Sequence, residues 1–192
     1  MQTQQLKQKI KQQGEIAHGK GNAFQDLAER IALRNFLANC PDFQGFWKSY
    51  FGTLPNITLK DDPLGEYKVD LGIVDNIYGT TIYGLIEVDV FNSWGEKYPA
   101  HYKKFHVLER KLKYFLPSDY NSETLRQGKP GKPYITCTFN RYHNQMCSTT
   151  KENIVRCLHK YGVQEIYMPK IDAYDRVIRC PLDENIHWFG VE

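Results

Sequence analysis

Twenty-four residues, KVDLGIVDNIYGTTIYGLIEVDVF from Lys68 to Phe91, limit the folds open to this chain more than any other stretch. Two runs rich in Val, Ile and Leu, about Lys68–Val74 and Thr80–Val90, read as strands, and Asn76 to Gly79 between them is hairpin-loop material. Acids fall at set places on this hairpin. Asp70 heads the first run, and seventeen residues later Glu87 and Asp89 flank Val88 in the second. Side chains alternate along a strand, so Glu87 and Asp89 share one sheet face while Ile86, Val88 and Val90 take the other. Adjacent strands lie about 5 Å apart, so Asp70 joins the pair if the register agrees. Three carboxylates that close repel one another unless a cation lies between them. An all-oxygen set of that kind suits a hard ion, Mg²⁺ or Mn²⁺.

The flanking sequence predicts an α/β sandwich. Before the hairpin, residues 22–39 are helical, with Asn22 as N-cap and Gln25 three residues on. Phe24, Leu27, Ala28, Ile31, Ala32 and Leu37 or Ala38 form the apolar face, with Glu29 beside it. Residues 40–66 carry Pro41, Gly45, Gly52, Pro55, Pro63 and Gly65 and read as an aromatic-rich loop region with one short strand near Asn56 to Leu59. Trp47, Tyr50 and Phe51 in it suit a core better than a base-stacking platform. After the hairpin, Tyr98–Phe115 reads as a strongly basic helix, and residues 117–133 as an exposed Pro/Gly loop. A strand at Tyr134–Asn140, a helix capped by Thr149 or Thr150 and running to about Tyr161, and a strand at Val163–Met168 complete the pattern. Residues 169–192 read as a short strand and tail.

Length divides the 192 residues into an N-terminal Gln/Lys arm, 1–21, and one domain, 22–192. With 13 Tyr, 10 Phe and 3 Trp, the chain can build a core despite a modest apolar fraction. The formal charge of +3 permits nucleic-acid binding without demanding it. No run reaches the roughly 18 apolar residues of a membrane span, and the N-terminus has no signal-peptide core. A soluble, cytoplasmic protein is expected. Its cysteines, Cys40, Cys137, Cys147, Cys157 and Cys180, are odd in number and form no CxxC pair, which points to reduced thiols rather than disulfides or zinc.

The order of helix, acidic hairpin, helix and strand resembles the PD-(D/E)xK nuclease superfamily, within it the very-short-patch-repair-like branch and its homing-endonuclease relatives. The matching residues are Glu29 on the first helix, Asp70 in KVDLG, Glu87 and Asp89 in LIEVDVF, and His101 as the following histidine, over roughly residues 22–160. The resemblance implies a restriction-endonuclease-like core, a mixed central sheet flanked by helices, and metal-dependent hydrolysis of DNA phosphodiesters. It implies Asp70, Glu87 and Asp89 as metal ligands and catalytic residues, joined in catalysis by Glu29 and by His101 as general base or proton donor. The chain departs from the pattern where Asp89 replaces the usual lysine two residues after the Glu. Lys97, Lys103 or Lys104 could supply that cation, or His101 its role.

Lys103, Lys104, Arg110 and Arg141 are the candidate nucleic-acid contacts. Two rival readings stay open: a catalytically silent nuclease fold that binds nucleic acid or a partner protein, and an interaction protein in which Glu87 and Asp89 merely face solvent. Burial of those carboxylates beside Asp70 separates the second from the nuclease. RNA in place of DNA, and a homodimer in place of a monomer, are left open by the residues.

Overall fold

The computed structural model describes residues 20–53, 56–65, 68–116, 131–168 and 173–191. Most of the Gln/Lys arm and of the 117–133 loop lies outside the described residues. Six strands form the main sheet: β1 (Ile57–Asp61), β2 (Leu71–Asp75), β3 (Ile82–Phe91), β5 (Tyr134–Asn140), β6 (Gln145–Thr150) and β9 (His187–Gly190), adjacent in that order. Only the β3–β5 pairing is parallel, so the sheet is mixed. A smaller antiparallel sheet holds β4 (Lys104–Leu108), β8 (Ala173–Pro181) and β7 (Gln164–Met168) in that order.

Alternation along the strands separates two cores. Leu71, Ile73, Ile86, Val88, Ile135, Cys137, Phe139 and Met146 face helices α1 (Lys20–Asn39) and α2 (Pro41–Phe51). Leu85, Tyr134 and Cys147 face the other way, toward the small sheet, the short helix α3 (Leu112–Phe115) and helix α4 (Lys151–Tyr161). The expected mixed sheet flanked by helices is present. Its hairpin is also as read from sequence, with both strands ending one residue past the predicted ends, β3 beginning two residues late and β2 three. Asp75 holds the turn. Its carboxylate accepts the main-chain N–H groups of Tyr78, Gly79, Thr80 and Thr81, which lowers its pKa to about 2.

Several expectations are corrected. Residues 40–66 are not all loop, because α2 occupies Pro41–Phe51. Pro41 stands in the first turn, where its missing N–H costs nothing, and Phe43, Trp47 and Phe51 are buried at four-residue spacing. Gly52 closes the helix at φ +78°, a conformation that side-chain-bearing residues rarely adopt. Opposite Phe51, a Cβ on Gly84 would lie 2.6 Å from the phenyl ring, so glycine there lets the helix sit close on β3.

On α1, Asn22 stands inside the helix rather than at its cap, and the buried stripe is rotated from the expected face. Leu27 and Ile31 are about half exposed, while Glu29, Ala32, Leu33 and Phe36 are buried. The basic helix expected over Tyr98–Phe115 is instead β4, a single 3-10 turn (Glu109–Lys111) and α3. The reason is period two: Lys104 and His106 are exposed, Phe105 and Val107 buried. β6, hidden between Asn140 and the α4 cap, and the nine-residue β8 are further strands that the sequence reading missed or shortened. Thr150 does cap α4, accepting the Asn153 N–H.

Phe43, fully buried on α2, packs edge-on against Phe36 (6.4 Å between centroids) and Phe189 (5.1 Å). Phe43→Ala is expected to lower unfolding stability by about 3–5 kcal/mol, measured by urea titration. A change below about 1 kcal/mol would mean that α2 is not packed on the sheet as described.

Candidate active site

β3 is ten residues long and β2 only five, and their pairing ends at Leu71 opposite Ile86. Beyond that point the edge of β3 toward β2 has no ladder partner among the described residues. The site is built on this overhang. Asp70, one residue before β2 begins, takes over where the ladder stops, its Oδ2 accepting the Val88 N–H at 2.8 Å. Two residues on, Asp89 Oδ1 accepts the Val90 N–H at 2.8 Å. Two of the expected acids thus satisfy the main-chain donors that the early end of β2 leaves over.

Glu87 lies between them on the face opposite α1 and α2. Its side chain is about 20% exposed, and Lys111 Nζ lies 2.5 Å from its Oε1. The same ammonium donates to the Lys68 carbonyl at 2.6 Å, and Lys111 is itself buried. Glu87 Oε2 is buried and, among the described residues, has no hydrogen-bond partner. Burial, and next the neighbouring Asp70 charge, raise the Glu87 pKa to about 8, against the pull of Lys111.

Tyr134, at the start of β5, completes the inner wall. Its ring stacks on Phe115 at 3.9 Å, and among the described residues its buried hydroxyl, like Thr136 Oγ1, has no hydrogen-bond partner. Burial raises its pKa well above the usual phenol value, followed by the charges of Glu87 and Asp70. The cluster therefore brings together two interacting carboxylates, one buried ammonium and, among the described residues, three oxygens with no hydrogen-bond partner. Such groups cost free energy when left unpaired. They suit a ligand that supplies cationic charge and hydrogen bonds together.

Asp70 and Glu87 are thus brought together, as expected. Asp89 is exposed at the outer end of the same face. Among the described residues, no three His, Cys, Asp or Glu side chains form a group able to hold a metal ion. Glu29 is buried on α1, and the next residue, Arg30, pairs with Asp62 at 2.8 Å and reaches within 3.7 Å of Asp70 Oδ1. His101 is exposed in the segment joining β3 to β4, its ring 4.5 Å from Tyr102, which in turn meets Phe91 at the end of β3 at 4.6 Å.

Of the candidate basic contacts, Lys103 and Lys104 are exposed. Arg110 is exposed and ion-paired with Asp175. Arg141 stands beyond the end of β5 with its guanidinium 4.7 Å from the Tyr142 ring. Lys111, Tyr134 and Arg30 are the residues that sequence reasoning missed. Lys111 looked like one of a row of solvated cations on a helix. The alternation of Phe105 and Val107, which identifies β4, is the signal that would have placed it on a turn instead.

No protein-family model matches the chain, and no curated protein matches it. Among solved structures, a nuclease from a fusselovirus is similar, with 11% identity and a TM-score of 0.42 over 81% of this chain and 82% of that one.

The Glu87 carboxyl has a pH signature. Because its folded pKa lies above the ordinary value of about 4.3, the folded state holds the proton more tightly than the unfolded one. Stability should therefore fall as pH rises from about 4 toward 8. Glu87→Gln should flatten that slope, with midpoints of urea unfolding compared across pH 5 to 9 as the check. An unchanged slope would place the Glu87 carboxyl in water.

Proposed function

We propose that this chain is a metal-dependent endonuclease that hydrolyses DNA phosphodiester bonds through a PD-(D/E)xK-like site. The observation that carries the reading is the convergence of Asp70 and Glu87 with the buried Lys111 ammonium 2.5 Å from Glu87. The acid, acid and cation expected of such a site are all present. The cation comes from the turn after β4, in place of the residue two after the Glu, where Asp89 stands. This arrangement favours Lys111 over Lys97, Lys103 and Lys104 as the replacement lysine.

The pocket fits a hard divalent ion. Its carboxylate donors are oxygens, Glu87 Oε2 has no hydrogen-bond partner among the described residues, and the Asp70 charge disfavours ionisation of Glu87. Asp70 and Glu87 would hold Mg²⁺, or Mn²⁺ in its place, with Asp89 at the mouth. When bound, the ion supplies Lewis-acid polarisation of the scissile phosphate. The remaining work falls to the chain. Lys111 offsets the Glu87 charge and offers a proton donor beside the phosphate, where negative charge develops. The Tyr134 hydroxyl, with no partner, can orient a water from the inner wall. Arg30 keeps Asp70 in place. Exposed Lys103, Lys104 and Arg141 are suited to phosphate contacts, which position the strand without reading its sequence. His101, exposed on the segment joining β3 to β4, remains the candidate for proton transfer.

Cleavage of supercoiled plasmid with Mg²⁺, Mn²⁺ or EDTA tests the reading. Nicking by the native protein should require the metal and disappear in the Asp70→Asn, Glu87→Gln double variant. These isosteric changes retain an acceptor for the Val88 N–H. Lys111→Met should lower the rate by about 10²–10³-fold while leaving DNA affinity nearly unchanged. Absence of nicking by folded protein that still binds DNA would overturn catalysis in favour of the silent binding module. Absence of binding would remove nucleic acid from the reading altogether.

The metal has an independent readout. At pH 8, Mg²⁺ should raise the melting temperature of the native protein and not that of the double variant. Equal shifts in both would place the ion elsewhere.

A further inference from the structure

Strand register extends the candidate site sideways across the sheet. Asp89 pairs with Thr138 on β5, Thr138 with Cys147 on β6, and Cys147 with Trp188 on β9. Directly paired residues share a sheet face, so Trp188 stands on the same face as Glu87 and Asp89. At about 4.8 Å per strand it lies about 14 Å from Asp89. Trp188 is 46% exposed, although it packs edge-on against Tyr98 (5.2 Å) and buried Trp94 (5.6 Å). Both contacts are T-shaped, and nearly half of the residue stays open to solvent. Beside this row, the β5–β6 turn presents Arg141 and the 52% exposed Tyr142 as a cation–aromatic pair. The Arg141 N–H donates to the Trp94 carbonyl at 3.0 Å, which ties that turn to the aromatic cluster.

We infer that Trp188, with Tyr98 behind it and Arg141–Tyr142 alongside, is a stacking platform for unpaired bases of a DNA strand whose backbone runs to the carboxylates. The inference rests on the nuclease reading and narrows its substrate to DNA with a single-stranded stretch next to the cleaved bond. An aromatic face accepts any base, whereas bases within a duplex are already stacked on one another. The guanidinium adds charge for the phosphates between platform and site. Fourteen ångströms is about four steps of a strand rising 3.4 Å per nucleotide, so one strand can occupy both at once.

Binding of oligothymidine and of a duplex of equal length, measured in EDTA by fluorescence anisotropy, tests this apart from cleavage. Trp188→Leu keeps apolar bulk at the edge but removes the π face. It should weaken single-strand binding by about tenfold and leave duplex binding within about twofold, and Trp188→Phe should restore most of the loss. No loss in the Leu variant, an equal loss for duplex, or failure of Phe to restore binding would each overturn the platform. Tighter binding of oligouridine than of oligothymidine would overturn its assignment to DNA. If the native protein binds neither form, the platform and the nuclease reading fall together. Selective loss of single-strand binding from a protein that cuts nothing would keep the platform and sink the cleavage.

Discussion

Everything at the candidate site depends on how one charge is held. Glu87 sits on a strand face that its neighbours make apolar, and a lone carboxylate there would be costly. Lys111 offsets it from a different part of the chain, and the ammonium is fixed in turn by the Lys68 carbonyl just ahead of Asp70. The three segments that meet are therefore the run before β2, the middle of β3 and the turn after β4. Removing one partner of such a pair leaves the other buried and uncompensated, which is why the pair fixes the path of those segments. The balance is incomplete, since burial and Asp70 outweigh the lysine and keep Glu87 ready to take a proton or a cation.

The sheet supplies the geometry. Parallel pairing of β3 with β5 places Tyr134 and Thr136 beside the acids and sends both strand ends, with Phe91, Trp94 and Arg141, to the same side of the molecule. The small sheet then lies across the second face and brings in the turn that carries Lys111. One face of the main sheet is thus wholly given to packing against α1 and α2. The other is apolar in part and charged at the β2 boundary.

The hairpin and its acids were legible from sequence because strand alternation and turn composition act locally. Asp70, Glu87 and the turn at Asp75 needed no tertiary information. Lys111 did. Its role depends on a strand that mimics a helix in composition, since HYKKFHVLERKLKYF has apolar residues at both two- and four-residue spacings. The rotated face of α1 has a similar origin. Leu27 and Ile31 fit a helical stripe as well as Leu33 and Phe36 do, and only the sheet underneath selects between them. In α2, prolines and glycines suggested a loop, although Pro41 and Gly52 bound the helix at its two ends. The neighbours of Tyr134 and Trp188 could not be read from sequence, because they are set by pairing between strands far apart in the chain.

The overhang of β3 past β2 has a meaning beyond chemistry. A strand edge without a neighbour invites a strand from another molecule, and proteins with such edges are prone to stick to one another. Here the two N–H groups that an intruding strand would seek, those of Val88 and Val90, are already engaged by carboxylates, and the approach is lined with negative charge. The acids thus guard an open seam with the same groups that build the candidate site.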